Sequence, residues 1–182
     1  MGEPHADCNV LRILTAFSRH PEALDWAAAQ AERHWGKRVL TSPCFLFEET
    51  DYYTPSMGAP LNKIFWAFSP QVDAAGLADW KLESNRWEVE YAATAGHQEL
   101  RPLNIDPGYL TLGKLVLAST KDHAHRIYLQ KGIYAEVTLY YKNRCWQTLD
   151  WTYPDYRRGD FQAFFSECRK YLHAQLQQKS TT

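Results

Sequence analysis

Cysteine is scarce and scattered. Cys8, Cys44, Cys145 and Cys168 form no CxxC pair among 182 residues, so reduced, structural thiols in the cytoplasm are expected rather than a thiolate metal knuckle or a disulfide scaffold. No stretch approaches the roughly 18 apolar residues of a membrane helix. No basic segment leading into an apolar run opens the chain, so neither a membrane protein nor a secreted one is expected. An excess of one charge is also missing. Lys and Arg number 20 against 21 Asp and Glu, a formal charge of −1, which gives no drive toward duplex DNA or anionic membranes. GxSxG, HExxH, GxGxxG and His-x-Thr/Ser patterns do not occur, which removes several common hydrolase, metalloprotease and dinucleotide-binding signatures.

What is abundant is aromatic: 14% of the chain, with seven Trp and eleven Tyr, inside an apolar share of 45%. Such side chains bury large areas, so one domain spanning 1–182 is expected, its core at about 10–176 and its ends, 1–9 and 177–182, frayed. Residues 10–17 read as a strand. A helix opens at His20-Pro21-Glu22 and runs to Trp35, with Leu24, Ala27, Ala28, Ala31 and Trp35 on one face and Gly36 as its stop. Strands follow at 44–47 and 63–68. Ser69-Pro70 predicts the start of a second helix carrying Leu77, Trp80, Trp87 and Tyr91. A strand is expected over 109–120. Another, over 133–141, puts Ile133, Ala135, Val137, Leu139 and Tyr141 on one side and Tyr134, Glu136, Thr138 and Tyr140 on the other. Lys142-Asn143 turns it into a partner at 145–149, and a last helix starts at Asp160. The class is α+β. The order β-α-β-β-α-β matches a ferredoxin-like core with an antiparallel sheet and two helices on one face, extended by a β-hairpin and a C-terminal helix.

Five ordered blocks carry a family resemblance: Glu49-Thr50-Asp51-Tyr52-Tyr53, Asn104-Ile105-Asp106-Pro107-Gly108-Tyr109, 118–129 with its Lys121-Asp122-His123-Ala124-His125-Arg126 run, Gly132-Ile133-Tyr134-Ala135-Glu136-Val137-Thr138-Leu139, and Trp151-Thr152-Tyr153-Pro154-Asp155-Tyr156. Over roughly 10–172 the chain resembles a bacterial and archaeal family, the domain of unknown function 4416. The resemblance implies a stand-alone protein with no established activity. Some members carry the description "GTP-binding protein".

That description directs attention to Gly108-Tyr109-Leu110-Thr111-Leu112-Gly113-Lys114-Leu115, which satisfies the first seven positions of GxxxxGK[ST]. Leu115 stands where a hydroxyl would hold magnesium. The following Val116-Leu117-Ala118 is β-type, where a phosphate loop needs a helix N-terminus. A glycine turn feeding a strand is expected here, and GTP binding through a P-loop is not.

The polar run at 121–126 leaves three readings open. It is an exposed turn, an anion site made by Lys121, His125 and Arg126, or a metal site in which His123 and His125 share a face and Asp106 or His97 completes the set. Asp106, Glu136 and Asp155, if they converge, suit a divalent cation or acid–base work, with Asp106 and Glu136 the catalytic candidates. Tyr52 and Tyr53 lie in a loop and suit stacking on a ring, and Asp155 adds a polar contact. The resulting expectation is a cytoplasmic protein that binds a small anionic, phosphate-bearing or nucleotide-like molecule, with or without catalysis and with a divalent cation as candidate cofactor. The alternative is a non-catalytic protein-interaction module using exposed Tyr and Trp loops.

Overall fold

Two apolar faces run along β1 (Asn9–Ser18) in the computed structural model, which describes residues 9–179. Val10, Leu14 and Ala16 join one core cluster, Leu11 and Ile13 the other, as alternating side chains must on a strand buried from both sides. α1 (Pro21–Trp35) starts at a proline, whose missing N–H is harmless in a first turn, and ends at Gly36. At Gly36 φ is +100°, and a Cβ there would lie 2.5 Å from the Ser69 carbonyl oxygen. Only glycine allows this exit.

The chain continues through β2 (Arg38–Thr41), β3 (Phe45–Phe47), the one-turn helix α2 (Thr54–Met57), β4 (Leu61–Asp73) and α3 (Leu77–Thr94). Then come β5 (Asn104–Leu110), β6 (Lys114–Ser119), β7 (Ile127–Gln130), β8 (Ile133–Lys142), β9 (Cys145–Thr148) and α4 (Gly159–Lys179). The nine strands of the described residues form one sheet of order β2-β4-β1-β5-β6-β8-β7, with β3 beside β4 and β9 beside β8. Every pairing is antiparallel. α1 and α3 cover one face, where Trp35, Trp80, Trp87 and Tyr91 meet Leu14, Trp66, Phe68 and Ile105. α4 covers part of the other through Phe161, Phe164, Phe165, Cys168 and Leu172. The protein is therefore a mixed helix and strand structure built on a large antiparallel sheet.

Four expectations need correction. Ser69-Pro70 does not start a helix: β4 runs through it to Asp73, because Val72 and Asp73 still pair with Val10 and Asn9. The proline occupies a register shift between Val10 and Arg12, where no ladder N–H is needed. The helix begins at Leu77 after a 3-10 turn over Ala74–Gly76, where the Asp73 carboxylate accepts from Ala75 N at 2.9 Å. The strand expected over 109–120 is two strands, since Thr111 hydrogen-bonds Gly113 N and Lys114 N and folds the P-loop-like segment into a tight β5–β6 turn. The single-sided stripe of β8 also breaks. Leu115 pairs with Leu139 but Val116 with Val137, so Thr138 is bulged. Ile133, Ala135 and Val137 consequently face α1 and α3, and Leu139 and Tyr141 face α4. β2 and β7 were not expected at all. Of the expected frayed ends, residues 1–8 and 180–182 lie outside the described residues, as does Cys8; Asn9 opens β1 and α4 reaches Lys179.

Candidate functional site

Lys63 stands two residues before Phe65 on β4, Ser119 two after Leu117 on β6, and Asp106 four before Leu110 on β5. Strand alternation therefore aims all three at the sheet face that α4 packs on. Glu136, one residue before the inner-facing Val137, points the same way. α4 leaves this end of the face uncovered, and a cavity of about 410 Å³ opens there. Its walls are the 49–53 loop, with Glu49, Tyr52 and Tyr53, the 121–126 turn, with Lys121, His123 and Arg126, and the segment Tyr153, Pro154, Asp155 and Tyr156.

Each carboxylate on the cavity has its own cation. Lys63 Nζ donates to Asp155 Oδ2, both side chains being almost fully buried. The same ammonium lies 4.6–5.9 Å from the ring centroids of Phe17, Phe47, Phe65, Tyr156 and Phe161, which stabilises its charge from the sides that lack water. Arg126 Nε donates to Glu136 Oε2 at 2.9 Å, while its Nη1 reaches Ser119 Oγ and the Lys121 carbonyl and its Nη2 the Tyr153 hydroxyl. Lys81, coming from α3 on the opposite face, reaches Asp106 Oδ1 at 2.8 Å and the Ile105 carbonyl at 2.9 Å. It passes where β5 has parted from β6, whose pairing covers only Gly108 to Leu110. Glu88 of the same helix accepts from Ile105 N at 2.6 Å, so α3 side chains satisfy the freed strand edge. Glu49 is held by Arg158 at 2.8 Å.

These surroundings set protonation. Burial pushes the Asp106 carboxyl up. The Lys81 ammonium, its hydrogen bond and that of the Asn104 amide outweigh burial and hold Asp106 below the usual carboxylate range. The Asp106 side chain remains 30% exposed and lines the cavity, while its two oxygens accept from Lys81 and Asn104. Burial first, then the charge of Asp106, raises the Tyr53 phenol, and burial with the charge of Asp155 raises Tyr156 well above its ordinary value. Both phenols are therefore neutral donors at neutral pH. Lys121 differs from the other cations. Its ammonium lies 4.6 Å from the Tyr52 ring centroid and 3.2 Å from the Tyr52 hydroxyl, and among the described residues it makes no ion pair with a carboxylate.

Of the residues singled out from sequence, Asp106, Glu136, Lys121, Arg126, Tyr52, Tyr53 and Asp155 all line this one cavity. His125 sits behind it, its Nε2 3.0 Å from Glu136 Oε2 and its ring stacked between His123 and Trp151. His97 does not join His123 and His125 but stacks on His20 instead. Among the described residues, the carboxylates of the cavity form no three-ligand cluster of the kind that holds a metal. Sequence reasoning missed Lys63, Lys81 and Ser119. For Lys63 a signal existed: a strand with Lys63, Phe65 and Ala67 on one face puts an ammonium on an apolar surface.

Fold and site together define a class: a mixed α/β protein whose antiparallel sheet carries a tyrosine-walled cavity braced by buried ion pairs. The sequence family described as a domain of unknown function, DUF4416, matches residues 8–171, and the chain belongs to that family. No curated protein and no solved structure matches it.

Proposed function

We propose that the cavity binds a small anionic molecule, phosphate-bearing or nucleotide-like, with its anionic group beside Lys121 and its ring or sugar against Tyr52, Tyr53 and Tyr153. The observation that carries this reading is the charge balance of the wall. Lys63, Arg126 and Lys81 are each matched to a carboxylate, which leaves the Lys121 ammonium as the surplus charge at the rim. A volume of about 410 Å³ suits a ligand of that size. Buried ion pairs cost several kcal/mol per ion in desolvation and seldom stabilise more than apolar packing does, so three around one hollow favour a functional reason for keeping them. The concave shape supports this reading over a flat interaction surface built on the same tyrosines. If catalysis accompanies binding, Asp106 is the ionised carboxylate that orients a substrate donor, and Glu136 acts by holding Arg126.

The same reading includes a ferredoxin-like core of β1, α1, β2, β4, α3 and β5, supported by the neighbour order β2-β4-β1-β5, with the remaining strands as an extension. It also includes a cytoplasmic setting, supported by the free Cys44, Cys145 and Cys168 and by the lack, among the described residues, of a helix long and apolar enough to cross a membrane. The test is a thermal-shift screen over nucleotides and sugar phosphates, followed by calorimetry on each hit. A ligand at a hundredfold excess over its Kd stabilises the fold by roughly 2.7 kcal/mol, and Lys121→Ala is expected to weaken it at least tenfold. A screen without hits, or hits indifferent to Lys121→Ala, would retire the proposal.

A further inference from the structure

On the helix-covered side of the sheet, we propose that His20, Glu22 and His97 form a divalent transition-metal site of the zinc type that clamps the start of α1 to the chain leaving α3. His20 immediately precedes α1 and Glu22 lies in its first turn. Gly96, with φ +72°, reverses the chain after α3, and His97 returns to stack on His20 with ring centroids 3.7 Å apart. Nδ1 of His20 and Nε2 of His97 face the same Glu22 oxygen at 3.8 and 3.9 Å. The three ligand atoms lie within 4.8 Å of one another, and among the described residues this is the one such group of His, Cys, Asp or Glu.

Two imidazoles and a carboxylate are a donor set that zinc takes with its fourth position left to water. Metal bonds of about 2.0–2.1 Å bring tetrahedral ligand atoms to roughly 3.4 Å apart, so the two edges to Glu22, at 3.8 and 3.9 Å, have to close by about half an ångström, and the stacked rings of His20 and His97 have to splay apart until both lone pairs point at one ion. Glu22 can supply the movement on its own two edges, because its side chain is 64% exposed; the ring movement falls to the two imidazoles. The surroundings already resemble those of a ligated histidine. Glu99 Oε2 lies 3.1 Å from His20 Nε2, and Arg19 holds the other Glu99 oxygen at 3.0 Å. A carboxylate on Nε2 places the proton there and turns the Nδ1 lone pair toward Glu22, the second-sphere arrangement that orients metal-bound imidazole. The Tyr91 hydroxyl, 3.0 Å from His97 Nε2, gives up that nitrogen to the metal. Imidazole-rich donors favour Zn²⁺, Ni²⁺ or Cu²⁺ over Mg²⁺ or Ca²⁺.

The experiment is calorimetric titration of the chelator-treated full chain with Zn²⁺, and with Co²⁺ as an optical probe. One equivalent is expected to bind, with Co²⁺ giving a tetrahedral visible spectrum free of thiolate charge-transfer bands. His97→Ala should abolish uptake. Glu22→Gln, a change at an exposed side chain that keeps the fold, should weaken it at least tenfold. Absence of uptake by the unaltered protein would overturn the assignment, and so would thiolate bands or full affinity in either variant.

Discussion

Four of the five N–H bonds of Arg126 already have acceptors in Glu136, Ser119, the Lys121 carbonyl and Tyr153. Its guanidinium therefore acts as a brace between the 121–126 turn, β8 and the 153–156 segment, whereas the Lys121 ammonium at the rim touches only Tyr52 and, among the described residues, no carboxylate. The two residues, paired in the sequence reading as anion donors, should part company in stability measurements. Arg126→Ala leaves the buried Glu136 carboxylate with only His125 and Thr138 beside it, and unpairing a buried charge costs about 3–5 kcal/mol. Lys121→Ala removes an exposed side chain and should stay within about 0.5 kcal/mol. Urea unfolding of both variants checks this, and similar losses would contradict the bracing role. Residue types were legible in the sequence where a polar run interrupts apolar periodicity, as at Lys121, Glu136 and Asp155. Lys63 was hidden because a lone lysine at the start of an apolar strand also fits a solvated strand end.

Elements fixed by local signals were readable in advance. α1 has Pro21 and Gly36 at its ends, α4 has its Phe161, Phe164, Phe165 stripe, and the β8–β9 hairpin has a two-residue turn at Asn143 and Arg144, both with positive φ, one residue later than the expected Lys142-Asn143 because Lys142 still pairs with Cys145. Elements fixed by distant partners were not. β4 outlasts Pro70 because β1 pairs with it from some 60 residues earlier in the chain, β7 is exposed along its whole length and shows no periodicity, and the Thr138 bulge exists only against β6. Gly36 sits where both kinds of constraint meet. Replacing it with Ala adds left-handed strain and drives Cβ to 2.5 Å from Ser69 O, whereas Gly132, with φ +76°, has nothing within 4 Å of a Cβ. Gly132→Ala should therefore cost only the strain, about 1–2 kcal/mol, and Gly36→Ala clearly more, because β4 must shift away from α1. Equal costs in thermal unfolding would mean that the close approach of helix and strand is not what requires glycine.

Across the whole molecule, the sequence singled out many of the cavity's polar residues but not that they share a cavity, since segments around positions 50, 63, 106, 120, 136 and 155 meet only through the strand order of the sheet. That convergence has a global signature in pH. Tyr156 is buried at the cavity wall, and burial, then Asp155, holds its phenol neutral well above the ordinary range; burial raises Tyr53, with Asp106, and the Cys168 thiol, with Glu167. In the unfolded chain these groups release protons near about 10 for Tyr and about 8.5 for Cys. Above those values the unfolded state binds fewer protons than the folded one, so stability falls as pH rises, by up to about 1.4 kcal/mol per pH unit for each such group. Below them both states are protonated and these groups impose no slope. The protein should thus unfold cooperatively in alkali, with the Tyr156 phenolate appearing only as the structure is lost. Tyr156→Phe forfeits the 3.2 Å contact with Thr15 Oγ1 at neutral pH, yet should move the alkaline midpoint upward relative to its own neutral stability. A difference titration of phenolate absorbance between the two proteins reads this directly. Phenolate from Tyr156 forming near pH 10 in a protein still folded by circular dichroism would show that the cavity floor is open to water, and the buried ion pair of Lys63 and Asp155 beside it would then have to be solvated as well.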